Sequence, residues 1–366
     1  MKRILAIALC LIMALAIVAC GTPAEQTTEA PKNDTTEAPE TPATEAEYKL
    51  GMGIVVKTDS SKTGLAQVDA TVATVVTDAN GKIVACRIDV AQNKYDLTKD
   101  FATEAAKTFE TKMELGDRYN MAAYGTPNVE GGTVKEWYVQ TKAFEAYVVG
   151  KTAAEVEAIE LQEVNHHMIA VDPTLLNAGC TMQITEFMAA VVKACNDEQG
   201  MTFKTASAFT LGVAANTTVD SANKAATAEA DGLVAMYSDF ACAVVADGKV
   251  IATLNDAIQP KIAFNAAGEI GTVTFNGTKR ELKEAYNMAA YGTPNVEGGT
   301  VLEWYVQSAA FSKYVVGKTA TEIDNMETKL VNNHYISVEE GLLSAGCTMQ
   351  ITGICDVVAK SANNAR

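Results

Sequence analysis

The sequence predicts an α+β fold in two tandem homologous domains, each an antiparallel sheet with packed helices. Three observations carry that prediction. The first is a block of sixteen residues, YNMAAYGTPNVEGGTV, present at 119–134 and again at 286–301. The same offset of 167 positions carries EWYVQ from Glu136 to Glu303, YVVGKTA from Tyr147 to Tyr314 and AGCTMQIT from Ala178 to Ala345. A repeat of that length is a copied domain, because solenoid units run about 20–50 residues. The second is the order of local patterns in each copy: strands, helix, loop, helices, strand, helix. The third is the chain length of 366 residues, which leaves roughly 150 for each copy, enough to bury a core. The copies are therefore expected to fold as separate units over 48–197 and 205–366.

The chain opens with Lys2 and Arg3, an apolar run from Ile4 to Val18, and Ala19-Cys20. Residues 1–19 read as a secretory signal peptide, too short for a comfortable membrane span. Its end resembles a bacterial lipobox, which implies cleavage before Cys20 and lipidation of that cysteine. Residues 21–47 hold four prolines, seven acids, one lysine and no bulky apolar side chain, so residues 20–47 are expected to form a lipid anchor and disordered tether. That places the domains at the cell membrane, lipid-anchored on its extracytoplasmic face. A net charge of −16 makes nucleic acid and anionic lipid surfaces poor partners.

In the first copy, Ala70 to Val76 alternates, Asp78-Ala79-Asn80-Gly81 turns, and Lys82 to Val90 resumes, which spells a hairpin. The second copy repeats it around Ala246-Asp247-Gly248 and adds a turn at Asn265–Gly268 before a strand-like Ile270 to Phe275. Phe101, Ala105, Phe109 and Met113 recur every four residues and predict one helix. The shared block is a loop, since Gly125-Thr126-Pro127-Asn128 and Gly131-Gly132 suit no regular element. EWYVQ is expected as a strand, with one of Trp137 and Tyr138 buried and the other presented. Ala143 to Val149 is helix-like. Thr152 with Glu155, and Thr319 with Glu322, fit capping boxes. The last helix of each copy should begin near Thr185 and Thr352, where threonine can cap.

The segments Asn177-Ala178-Gly179-Cys180-Thr181 and Ser344-Ala345-Gly346-Cys347-Thr348, together with the turns Asn80-Gly81-Lys82-Ile83 and Asp247-Gly248-Lys249-Val250, resemble a family signature. They are similar to the SGAT motif and its hairpin in FMN-binding domains of sodium-pumping quinone reductases, Rnf-type complexes and flavin-bearing surface lipoproteins. The resemblance implies FMN as cofactor, carried covalently on Thr181 and Thr348 through the action of a flavin transferase, or bound dissociably. The pattern departs from the family at Ala178 and Ala345, where serine is usual, and at Cys180 and Cys347, where alanine is usual. Leu175 and Leu342 stand where the family has an acid.

Physically, Gly179-Cys180-Thr181 and Gly346-Cys347-Thr348 entering a helix offer amides and a hydroxyl for a phosphate, or merely turn a corner, the threonine beginning a strand. Trp137 and Trp304 are the only tryptophans and are candidate walls for a flat heterocycle. His167 and His334 are equivalent and read as hydrogen-bonded structural histidines, and Glu130 and Glu297 as loop residues. No zinc-spaced cysteine set, P-loop or nucleophile elbow occurs. Cys86, Cys180, Cys195, Cys242, Cys347 and Cys355 are expected mostly as buried thiols. The functional expectation is an electron carrier with a redox partner rather than a turnover enzyme. Its rival is a flavin-free surface lipoprotein that binds a small ligand or an envelope partner.

Overall fold

The structure is a computed structural model and describes residues 45–366. The segments expected as signal peptide and tether, with Cys20, lie up to residue 44 outside the described residues. Ala46 and Glu47, expected within the tether, instead pair with Thr205 and Lys204.

The first copy begins with an antiparallel meander, β1 (Ala46–Lys57), β2 (Leu65–Asp78) and β3 (Ile83–Asp96). Short helices α1 (Phe101–Ala105), α2 (Lys112–Leu115) and α3 (Met121–Tyr124) follow, then α4 (Trp137–Val148) and α5 (Ala153–Glu157). A small hairpin, β4 (Leu161–Val164) and β5 (His167–Ala170), leads to α6 (Pro173–Ala178) and α7 (Thr185–Cys195). Strand β6 (Met201–Thr205) then returns to the edge of β1, giving the sheet order β3-β2-β1-β6.

The second copy repeats the plan. Its meander is β7 (Thr210–Val219), β8 (Gly232–Ala246) and β9 (Lys249–Ile258), extended by β10 (Lys261–Phe264) and β11 (Ile270–Thr274). Helices α8 (Lys279–Leu282), α9 (Met288–Tyr291), α10 (Trp304–Tyr314) and α11 (Ala320–Asp324) match α2 to α5. Hairpin β12 (Thr328–Val331) and β13 (His334–Ser337), α12 (Glu340–Ser344) and α13 (Thr352–Asn363) complete it. The α+β class expected from sequence is the observed one.

Strand alternation sorts the core into layers. Ala66, Val68, Ala70 and Val72 of β2 face one apolar cluster with Phe240, Cys242 and Val244 of β8, so the two sheets pack face to face. Ala73 and Val75 face the opposite way, onto α4 and α7, while Ala241 and Ala243 face α10 and α13. The layers run helix, sheet, sheet, helix. Where the sequence suggested two independently cored domains, one sandwich core is shared by both copies.

The outer helices lie directly on the first strand of each meander. A Cβ built on Gly51 would stand 2.0 Å from the Ala194 carbonyl oxygen, and one on Gly212 would stand 1.9 Å from that of Ser361. Ala194 and Ser361 are equivalent in the two copies, so the close approach is a repeated design feature.

Three local expectations change. EWYVQ is the start of α4 and α10 rather than a strand: Trp137, Gln140, Thr141, Phe144 and Val148 are all buried on one helical stripe. The four-residue periodicity from Phe101 to Met113 does not make one helix. Asp100 caps α1, and a fresh capping box from Thr111 to Glu114 starts α2; Phe101 and Phe109 pack toward the sandwich core, Met113 toward the helix layer. Finally, the Gly-Cys-Thr segments are not strands but an irregular connection between α6 and α7, or α12 and α13. The capping boxes at Thr152 and Thr319 form as expected. Helices α7 and α13 do begin at Thr185 and Thr352, although neither is capped by a side chain.

Candidate functional site

Each copy carries an open cleft between the helix-side face of its sheet and the loop that the repeated block forms. The clefts measure about 450 Å³ in the first copy and 680 Å³ in the second. Both are lined by Lys112 or Lys279, Tyr119 or Tyr286, and Trp137 or Trp304, with Met121/Met288, Met182/Met349 and His167/His334 around them. Every one of these pairs is separated by 167 positions, so the duplication copied a cleft along with the fold.

At the floor, a lysine ammonium sits over aromatic rings. Lys112 Nζ is 4.9 Å from the Tyr119 ring centre and 5.7 Å from that of Trp137. Lys279 Nζ is 4.8 Å from Tyr286, 5.3 Å from Trp304 and 4.5 Å from Tyr237. Such contacts are favourable because the ring faces are electron-rich.

The backbone around the lysine is pinned from the sheet. Asp89 on β3 accepts from the Met113 amide at 3.1 Å, and Asp256 on β9 accepts from the Arg280 amide at 3.0 Å. Burial pushes both carboxyls up to about 6, although hydrogen bonds from the helix start pull the other way.

The Gly-Cys-Thr segments lie beside the clefts, and their polar backbone is already engaged. The Thr181 amide donates to Gln140 Oε1 at 2.9 Å, and Asn128 Nδ2 donates to the Thr181 carbonyl at 2.9 Å. Gln307 and Asn295 hold Thr348 at the same distances. Gln140 and Gln307 also donate to the Lys135 and Leu302 carbonyls, at 2.8 and 2.7 Å. The three most faithfully repeated segments thus converge on one hydrogen-bonded junction.

Gly179 and Gly346 adopt left-handed φ values of 97° and 90°, and the space beside them is filled by Lys135 and Leu302 side chains. The phosphate cradle expected there is closed on that side. Cys180 and Cys347 are fully buried, with burial pushing their thiols up to about 12. Thr348 lines a smaller cavity of about 270 Å³ that shares Met288, His334 and Met349 with the second cleft.

Trp137 and Trp304 line the clefts, reaching them from helix starts rather than strands, and are 3% and 4% exposed. Trp137 also meets Phe187 edge-on at 5.8 Å. His167 and His334 are exposed at the cleft rim; His334 Nδ1 lies 2.7 Å from the Asn332 carbonyl. Glu130 and Glu297 are exposed on the loop. Lys112, Lys279, Tyr119 and Tyr286 were not singled out by sequence. The lysines carry a signal in the repeated Thr-Lys-x-Glu-Leu at 111–115 and 278–282, just upstream of the identical block, and the tyrosines open that block.

The mouths of the two clefts differ. Lys57 Nζ reaches Glu186 Oε1 at 3.2 Å across the first cleft. Thr218 and Gly353 stand at the corresponding positions of the second, which has no such strap and is larger. On the sheet, Asp69 and Thr71 of the first cleft are matched, by strand register, by Tyr237 and Asp239 of the second.

Among the described residues no group of three or more His, Cys, Asp or Glu side chains is placed to hold a metal ion. Nor is any described helix long and apolar enough to cross a membrane. No protein-family model matches the chain, and no curated protein matches it. Among solved structures, a protein called exported, with a YmcC-like fold, from Bacteroides fragilis shares 8% identity at a TM-score of 0.12. That alignment covers 65% of this chain and 97% of the other. At so low a TM-score the likeness carries no argument.

Proposed function

We propose that the protein is a lipid-anchored, extracytoplasmic carrier that binds a small planar ligand in each of its two clefts, with FMN as the first candidate. The supporting observation is the duplicated cleft itself: the same lysine, tyrosine, tryptophan, methionines and histidine line both. Both volumes fall within the range of about 300–1,000 Å³ that suits cofactor-sized ligands. Lys112 and Lys279 would meet the phosphate, and Trp137, Tyr119, Trp304 and Tyr286 the ring system. A bound flavin supplies electron transfer, while the chain's part is to hold it and exclude water. With leucine at 175 and 342 where the family has an acid, and cysteine at 180 and 347 where it has alanine, dissociable binding is favoured over attachment to the threonine hydroxyls.

Titrating purified residues 45–366 with FMN and following tryptophan fluorescence tests this reading. Saturable quenching that is lost on Lys112→Met with Lys279→Met supports it. Absence of quenching, together with unmodified Thr181 and Thr348 peptides after coexpression with a flavin transferase, overturns the flavin assignment and leaves a binding protein for another ligand. Anchoring is tested separately: Cys20→Ala should move the protein from the membrane fraction to the soluble one.

A further inference from the structure

The two clefts share a floor, yet the second adds a sheet tyrosine hydrogen-bonded to its lysine, with an aspartate beside it on the same strand face. Lys279 Nζ is 2.9 Å from the Tyr237 hydroxyl, and Asp239 lies two residues along the same strand, on the same face, also lining the cleft. In the first copy these places are held by Asp69 and Thr71. Lys279 is 6% exposed, whereas Lys112 is only half-buried. We propose that the second cleft is a carbonyl-capturing site, in which the Lys279 amine forms an imine with a small planar aldehyde or ketone. This inference does not rest on flavin binding.

Burial lowers the Lys279 amine below the ordinary lysine range, against the pull of Asp239, Asp256 and Asp220. The same burial holds Asp239 above the usual carboxylate range and leaves Tyr237 protonated, well above its ordinary value. A share of the Lys279 amine is therefore uncharged near neutrality, beside an acid that can hold a proton in the same cavity, the combination that amine addition to a carbonyl requires. The nitrogen lone pair forms a bond to the carbonyl carbon, and the C=O π pair moves to oxygen, which takes a proton from Asp239. Asp239 then receives a proton from the nitrogen and returns one to the departing oxygen. The products are a protonated imine on Lys279, balanced by the Asp239 carboxylate, and one water, with no change in oxidation state. Tyr286 and Trp304 offer ring faces to an aromatic carbonyl compound, and the absence of a strap like Lys57–Glu186 leaves the mouth open.

The test is reductive trapping on the intact chain. Limiting benzaldehyde is added with cyanoborohydride at neutral pH, and modified lysines are mapped by peptide mass. Lys279 should be labelled at least about tenfold over Lys112 and the surface lysines, since each unit of pKa lowering is tenfold in free amine. The paired exchange Tyr237→Asp with Asp239→Thr, which installs the first copy's residues, should reduce Lys279 labelling to the Lys112 level. Labelling of Lys279 no greater than that of Lys112 in the unsubstituted chain overturns the proposal, and that comparison needs no variant to fold.

Discussion

At the scale of single residues, two buried aspartates link the sheet to the cleft lysine in both copies. Asp89 and Asp256 carry carboxyls at about 6 because burial disfavours their charge. The unfolded chain would ionise them near 4, so between about pH 4 and 6 the folded state binds the extra protons. Stability contributed by these groups is present below pH 4 and is lost as pH rises through 6, by on the order of 2–3 kcal/mol each. Asp89→Asn with Asp256→Asn keeps the Oδ1 acceptors and removes the titration. Urea unfolding across pH 4 to 7 should then show a flatter profile for the double variant. Gln140 supports a second prediction. Gln140→Leu strands the Thr181 amide and the Lys135 carbonyl, and should cost about 1–3 kcal/mol by denaturant midpoint. Trp137 and Trp304 were visible in sequence because they sit within repeated motifs. The lysines were not, because a lone lysine in a degenerate pentapeptide looks like any helix-start surface residue until folding sets it over two rings.

At the scale of elements, the hairpins and capping boxes were legible because their signals are local. Gly81 in one turn, and Asp247 with Gly248 in the other, supply the positive φ values those turns demand, and the Thr-x-x-Glu boxes close on themselves. EWYVQ resembles a strand in sequence since adjacent aromatics suit one; its helical register shows only when Gln140, Thr141 and Phe144 are counted as buried. The break between α1 and α2 was also hidden, because Phe101 and Phe109 keep a helical spacing while serving the sandwich core. Strands β1 and β7 carry a weak sequence signal for a related reason. Their glycines weaken strand propensity, yet Gly51 and Gly212 are what let α7 and α13 settle onto them. Gly51→Ala or Gly212→Ala should therefore cost about 3 kcal/mol or more, since neither neighbour is a movable side chain but a backbone carbonyl. Thermal unfolding of each variant measures it, and an unchanged midpoint would mean that the helix does not lie so close.

At the scale of the molecule, the copies are related like the halves of a twofold dimer. Lys193 of the first copy pairs with Glu281 of the second, and the equivalent Lys360 of the second pairs with Glu114 of the first at 2.6 Å. Such reciprocal contacts are the mark of an isologous interface. The symmetry is imperfect where the copies have specialised. Arg280 and Asp197 make a buried bridge at 3.1 Å, whereas the equivalent Met113 and Asn364 do not, Asn364 instead donating to the Val213 carbonyl. Glu145, almost fully buried, is held by Arg366 from the other copy at 2.8 Å. The repeat was plain in the sequence, but the shared core was not, because an apolar strand face looks the same whether it meets a helix or another sheet. This geometry reverses the expectation of two autonomous domains. Residues 45–205 alone would expose Val68, Ala70, Val72 and Ile54 and leave the buried Glu145 without Arg366, a bridge that solvent screens on the exposed arginine side and that Arg87 replaces in part. Residues 206–366 would expose Phe240, Val244 and Leu254. Each fragment should escape that cost by pairing with a second copy of itself through the same face, or else aggregate. Light scattering on each purified fragment decides the matter: a folded, cooperative monomer of either half would show that the common core is dispensable, while a dimer would show that one copy already encodes the whole sandwich.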